Sequence, residues 1–287
     1  MKKKLNSKFS LSDLLANLFL ILVFIVVMTP IIYLVFASFK TNTEILTHPD
    51  RFFPQKFSLE NYKIALESSD FYIPLLLKNS LVFTLSRVVI VGAISAMAGF
   101  SFAKGNFPLK NVIFVCFSAL LFIKLGSVSV YASFEILDFL HIKRSLYALI
   151  FLEIFSIPVI DIYLVRSYVK TLPDGILEAA KIDGCSFFGM FVKIALPIIK
   201  PILATIFILA FQGSWNAYIG PTIYTATKPE QRTLMVGLMA LKSNSGAASN
   251  WNLMLAGSTV ALLPVLIAYL AANKHFVKGL AAGAVKG

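Results

Sequence analysis

The sequence predicts an all-α polytopic membrane protein with six transmembrane helices and one cytoplasmic helix-turn-helix insert. Three observations predict it. Of 287 residues, 58% are apolar and 14% charged, with a mean hydropathy of +0.81, outside the range of soluble globular domains. Six apolar runs, about 14–38, 76–102, 111–131, 145–168, 199–220 and 251–272, have the length needed to cross a bilayer, roughly 20 residues. The basic residues are also unevenly shared between the two sets of loops. A transmembrane barrel is excluded, because barrel strands show weak alternation over ~10 residues and these runs are continuously apolar.

The elements follow in order. Residues 1–13 form a cytoplasmic N-terminal segment, and Met1-Lys2-Lys3-Lys4 precedes the first apolar run as it would in a signal peptide. That run is about twice the ~7–15 residues of a cleavable apolar region, so it reads as a retained first helix. Residues 14–272 form the transmembrane domain. Its first outer loop, about 39–74, carries the breakers Pro49 and Pro54, and Ser58 is placed to cap a short helix through Leu66. Lys104-Gly105-Asn106-Phe107-Pro108 is a tight inner turn. Residues 221–250 end in the polar stretch KSNSGAASN. An insert at about 170–198 separates the fourth and fifth runs, and residues 273–287 are a tail.

Charge sets the orientation. Lys2, Lys3, Lys4, Lys104, Lys110 and Lys170 all fall on the side of the N-terminus, with few acids, while the opposite loops are nearly balanced. Both termini are therefore expected in the cytoplasm. The net charge of +12 is then explained by topology, and nucleic-acid binding is a poor account of it. Cys116 and Cys185 lie in different segments and imply no disulfide. His48, His141 and His275 are scattered, so no metal site and no catalytic cluster is expected.

The insert is the most informative stretch. Pro173 suits the first turn of a helix, Gly184 can close it in a left-handed conformation, and Ser186 can cap a second helix running toward Pro197. Ala179 and Ala180 leave backbone accessible beside Glu178, a small knob that a groove on a partner can grip through a lysine or arginine. The plain alternative is a surface acid paired with Lys181, with Gly184 serving only as a C-cap.

Leu177, Glu178, Ala179, Ala180, Ile182, Asp183 and Gly184, followed by Leu196, Pro197 and Pro201, resemble the signature loop of the permeases of ABC importers. Ser38-Phe39-Lys40, Glu44, Phe53-Pro54, Asn61-Tyr62, Asn79-Ser80, Trp215-Asn216, Arg232-Thr233-Leu234 and the ending GLAAGAVKG resemble the carbohydrate, maltose-permease-like branch across nearly the whole chain. The resemblance implies the type I importer fold and a bacterial inner-membrane location. It implies a second permease subunit, two ATP-binding subunits and an extracytoplasmic substrate-binding protein as partners. It also implies that ATP and Mg are held by the ATPases and no cofactor by this chain. The sequence agrees, since no GxxxxGK[ST] phosphate loop occurs in it. By the resemblance, Glu178 contacts the ATPase, Ala179 and Ala180 form the close-packing surface, Asp183 and Gly184 make the turn, and the tail with Gly283, Lys286 and Gly287 enters the ATPase interface. Without it, such a tail reads as a frayed end.

The pathway for substrate is read from ionisable and amide groups within the runs. Lys124, Glu153 and Asp161, which depart from what is usual in this branch, suit either a structural pairing between the third and fourth helices or a polar cavity for an anionic sugar. Arg87 and Arg166 are placed to snorkel from span ends. Gln212, Trp215, Asn216 and Ile219 recur at helical spacing, and amides with an aromatic plane suit both sugar binding and interhelical packing. Gly92, Ala96 and Gly99 read as helix-packing positions. A secondary transporter of a small polar solute is the alternative, but no ion relay or internal repeat is visible.

Overall fold

The computed structural model describes residues 11–122, 127–244 and 250–284, and among these the only regular structure is helix. The chain divides into two compact units, Met1–Tyr72 with Ala240–Val260 and Ile73–Met239 with Ala261–Gly287.

The first unit begins with α1 (Leu11–Ala37), apolar on every side, in which only Ala37 is buried within the chain. That is the pattern of a helix solvated by lipid. Two short helices follow, α2 (Asn42–Thr47) and α3 (Glu60–Glu67). The loop that carries them is held by its own side chains. Asn61 Nδ2 donates to the carbonyls of Ser38 (2.7 Å) and Lys40 (2.8 Å), and its Oδ1 accepts from Asn252 (2.8 Å). Lys40 is buried, and its ammonium donates to the Arg51 carbonyl and lies 5.1 Å from the centre of the Tyr33 ring. Glu44 accepts from the Gln55 amide (2.8 Å). Buried polar groups are thus satisfied, as they must be where water is excluded. Ser58, the expected cap, sits one position before the observed one: Leu59 is the N-cap residue of α3, and the Ser58 hydroxyl accepts from Glu60 N–H.

The second unit is built on α4 (Ile73–Lys104), the longest helix in it that lies wholly within one unit. After it come α5 (Lys110–Ala119), α6 (Ser127–Phe139), α7 (Leu146–Glu153), α8 (Val159–Lys170), α9 (Asp174–Ile182) and α10 (Phe187–Met190). A π-helical turn over Phe191–Ala195 leads into α11 (Leu196–Ile198) and α12 (Lys200–Trp215), followed by α13 (Ile219–Tyr224), α14 (Leu234–Asn244) and α15 (Trp251–Ala284).

The helices differ from six unbroken spans. Three, α1, α4 and α15 over Trp251–Ala271, are individually long and apolar enough to cross a membrane. A fourth crossing is possible as a bent pair, Phe187–Ile198 with Lys200–Trp215, angled at 78°. Pro197 and Pro201 lack the amide hydrogens that would continue the ladder there, and the π-helical turn ends at Ala195, two residues before Pro197. The run 111–131 is divided between α5 and α6. The run 145–168 breaks because the N–H groups of Ile154, Phe155 and Ser156 fold back three residues and Pro158 cannot donate. Hydropathy does not register that break, since Ile154, Phe155 and Ile157 are as apolar as their neighbours.

α4 packs against α8 and α12, with Val91, Ala96, Phe100, Val165, Ile202 and Ile206 in the core. Close approach depends on the glycines of α4. A Cβ at Gly99 would lie 2.6 Å from the Val165 side chain and one at Gly92 2.1 Å from the Phe207 ring, in line with their reading as packing positions. At its start α4 is tied to the segment before α14: Asn79 Nδ2 donates to the carbonyls of Glu230 and Arg232 (both 2.9 Å), and Ser80 Oγ accepts from Leu234 N–H (2.7 Å).

Candidate functional site

Two features carry chemistry, an outward knob at α9–α10 and a charged cavity beside α4. The knob is built by local rules. Pro173 occupies the N-cap of α9, and at the other end Gly184 takes φ +77°, the left-handed conformation expected of it. Its N–H donates to the Lys181 carbonyl (3.1 Å) and that of Cys185 to Ala180 (2.9 Å), the paired bonds of a Schellman turn. Ser186 then caps α10 by accepting from Gly189 N–H (3.1 Å).

This closure fixes which residues face out. Leu177 packs on the core and Ala180 is buried, whereas Glu178, Ala179, Lys181, Ile182 and Asp183 are exposed. Ala180 is therefore part of the chain's own packing, and only Ala179 of the two alanines lies on the outer face. Among the described residues Glu178 has no ion-pair partner, so the pairing with Lys181 is not made. Ile182, 86% exposed, stands at the tip. From the other side of the turn, the Phe187 ring meets Phe100 of α4 at 4.9 Å between centroids, and Phe100 also meets Phe191 at 5.5 Å.

The cavity has a volume of about 620 Å³ and lies between α4, α7, α8 and α12. Glu153 is the last residue of α7 and Asp161 lies in the first turn of α8, so the break at 154–158 brings both carboxylates to one wall. From α4, Arg87 Nε approaches Glu153 Oε2 at 3.1 Å, and Arg87 NH1 donates to Ser214 Oγ at 3.5 Å. The Nε contact is one of charge rather than an aligned hydrogen bond. Arg87 is therefore paired, not snorkelling, and Glu153 finds its partner on α4. Arg166 stacks on the Phe114 ring at 3.8 Å. Lys124 lies outside the described residues.

The proposed face of Gln212, Trp215, Asn216 and Ile219 does not form. α12 ends at Trp215, Asn216 closes it, and Ile219 opens α13, so helical spacing no longer relates the four. Trp215 is buried, donates from Nε1 to the Ala261 carbonyl (3.1 Å) and stacks on Phe211; Gln212 and Asn216 are exposed. Gly283 lies in the last turn of α15, while Lys286 and Gly287 lie outside the described residues.

Residues 6–281 match the family model for binding-protein-dependent transport system inner membrane components. The chain belongs to that family. The permease is 32% identical to the arabinooligosaccharides transport system permease protein AraQ of Bacillus subtilis, over 98% of this chain and 99% of that one. It is 31% identical to the sulfoquinovosyl glycerol transport system permease protein SmoH of Agrobacterium fabrum, over 90% and 88% of the two chains. Its fold is that of a chain in the crystal structure of a bacterial ABC transporter involved in the import of the acidic polysaccharide alginate. The TM-score is 0.77 at 20% identity, covering 96% of this permease and 100% of that chain.

Proposed function

We propose that this permease forms half of the translocation pathway of an ATP-driven importer of a sugar or oligosaccharide, delivered by an extracytoplasmic binding protein. In this reading a second permease completes the pathway, and two cytoplasmic ATPases hold ATP and Mg. The relatives named for arabinooligosaccharides and sulfoquinovosyl glycerol support a carbohydrate substrate. The chain crosses a bacterial inner membrane six times, with α5–α6 and α7–α8 as interrupted crossings, and both termini are cytoplasmic. Interrupted helices suit a pathway, since irregular backbone at membrane depth is tolerated where it borders a cavity.

One observation supports the coupling role: α9 presents Glu178 outward, without an ion-pair partner among the described residues, on a helix locked by the Gly184 turn, while Leu177 and Phe187 are seated on the core that includes α4. A carboxylate so placed can meet a cation of an ATPase, with Ala179, Ile182 and Asp183 around it and the tail at Gly283, Lys286 and Gly287 as a second contact. ATPase closure would move α9, and Phe187 against Phe100 would carry the movement into α4. Arg87 and the cavity lie about 20 Å further along that helix at ~1.5 Å per residue. Lys124, Glu153, Asp161, Gln212 and Asn216 remain the proposed pathway residues.

Glu178→Arg tests the proposal. The variant is expected to insert normally but to lose co-purification with the ATPase subunits and ATP-dependent uptake into vesicles. Uptake at the unaltered rate would refute it.

A further inference from the structure

We infer that the cavity admits uncharged polyhydroxylated ligands and disfavours acidic ones, with Asp161 as the residue that sets this preference; the inference rests on reading the cavity as part of the translocation pathway. Among the described residues, the charges on its wall are Arg87, Glu153 and Asp161, two acids against one base. The single base is charge-paired with Glu153, with Nε 3.1 Å from Oε2, and its NH1 donates to Ser214, so its charge is offset within the wall itself. Asp161, by contrast, has no hydrogen-bond or ion-pair partner among the described residues. Even with Lys124 added to the sum, the total is zero, so the site offers no net positive charge to an anion. Carboxylates are acceptors only, which suits hydroxyl donors of a neutral sugar. Apart from Ser156, the remaining described wall, including Val91 and Leu209, is apolar and suits C–H faces, and the volume falls in the range of small-molecule sites, roughly 300–1,000 Å³. An acidic ligand would instead bring its charge against Asp161 in a setting of reduced dielectric, where like charges repel more strongly than in water.

The test uses thiol reagents of opposite charge and needs no knowledge of the natural substrate. Gly213 lines the cavity, and a Cβ there meets nothing within 4 Å, so Gly213→Cys in a Cys116→Ser, Cys185→Ser background places a thiol in the wall. In vesicles containing the whole importer, its labelling rate is measured with a trimethylammonium-ethyl and a sulfonato-ethyl methanethiosulfonate, each divided by its rate with a free thiol. The cationic reagent is expected to be favoured about tenfold, and Asp161→Asn to lower that ratio at least threefold. Ser156→Cys on the facing wall repeats the measurement in case the first variant folds poorly. Equal normalised rates, or a preference for the anionic reagent, would overturn the inference. Failure of both reagents at both positions would show the cavity to be closed to water and would remove the pathway reading itself, whereas an altered uptake in Glu178→Arg bears only on coupling.

Discussion

The Phe187 ring lies 4.9 Å from that of Phe100, which joins the exposed turn after α9 to a fully buried position on α4. An aromatic pair of this geometry contributes ~0.5–1.5 kcal/mol beyond the area it buries. It is a direct contact between the turn that follows α9 and the helix that lines the cavity.

Phe187→Ala is therefore expected to lower ATP-driven uptake about two- to tenfold while leaving insertion and ATPase binding intact, since ~1.4 kcal/mol is a tenfold change. Phe187→Tyr keeps the ring and should keep transport. Normal uptake by the alanine variant would mean that motion reaches α4 by another route.

Arg87 and Glu153 depend on each other. Removing one partner of a buried pair leaves a charge stranded, at a cost of ~3–5 kcal/mol, and the partial exposure of these side chains (33% and 17%) reduces this to about 1–3 kcal/mol. Arg87→Met should thus lower the melting temperature of the detergent-solubilised protein, and adding Glu153→Gln should recover part of the loss. Additive effects in the double variant would show that the two groups do not interact.

Gly99 has no room for a side chain. Gly99→Ala would drive a methyl against Val165 and should cost about 1–3 kcal/mol by overpacking. Val165→Ala in the same chain removes the Cγ1 contact but keeps Cβ, itself 2.6 Å from the new methyl, so thermal denaturation should show only part of the stability restored; complete recovery would mean that the helices slide apart.

At Gly184 the constraint is conformational, because a Cβ there meets open space. Holding an L-residue at φ +77° costs roughly 1–2 kcal/mol, so Gly184→Ala should loosen the turn and Gly184→Asn should do so less. Proteolysis of the α9–α10 turn, faster in alanine than in asparagine and slowest in the parent, is the expected order.

Legibility in the sequence followed the range of the interaction. The Gly184 turn and the Ser186 cap were readable because their partners lie within five residues. The long apolar helices were readable because hydropathy is a local sum. The interruption at 154–158 was masked by its own apolar side chains, with Pro158 as the single visible sign. The spacing of Gln212, Trp215, Asn216 and Ile219 assumed a helix that stops at Trp215. Arg87 gave no hint of Glu153, 66 positions away, and Asn79-Ser80 could be noticed as a motif without revealing that it holds the backbone at 230–234. Those pairings exist only once α4 is packed.

α1 has a different consequence. Its 27 residues extend about 40 Å at ~1.5 Å per residue, against a hydrocarbon thickness near 30 Å. The surplus is taken up by tilt or by the helix ends, where Asp13 lies in the first turn and Phe36 packs on Phe53 of the following loop. Permease production in membranes of shorter-chain lipids should therefore shift the angle of this helix before it disturbs the rest of the chain, making α1 a gauge of bilayer thickness.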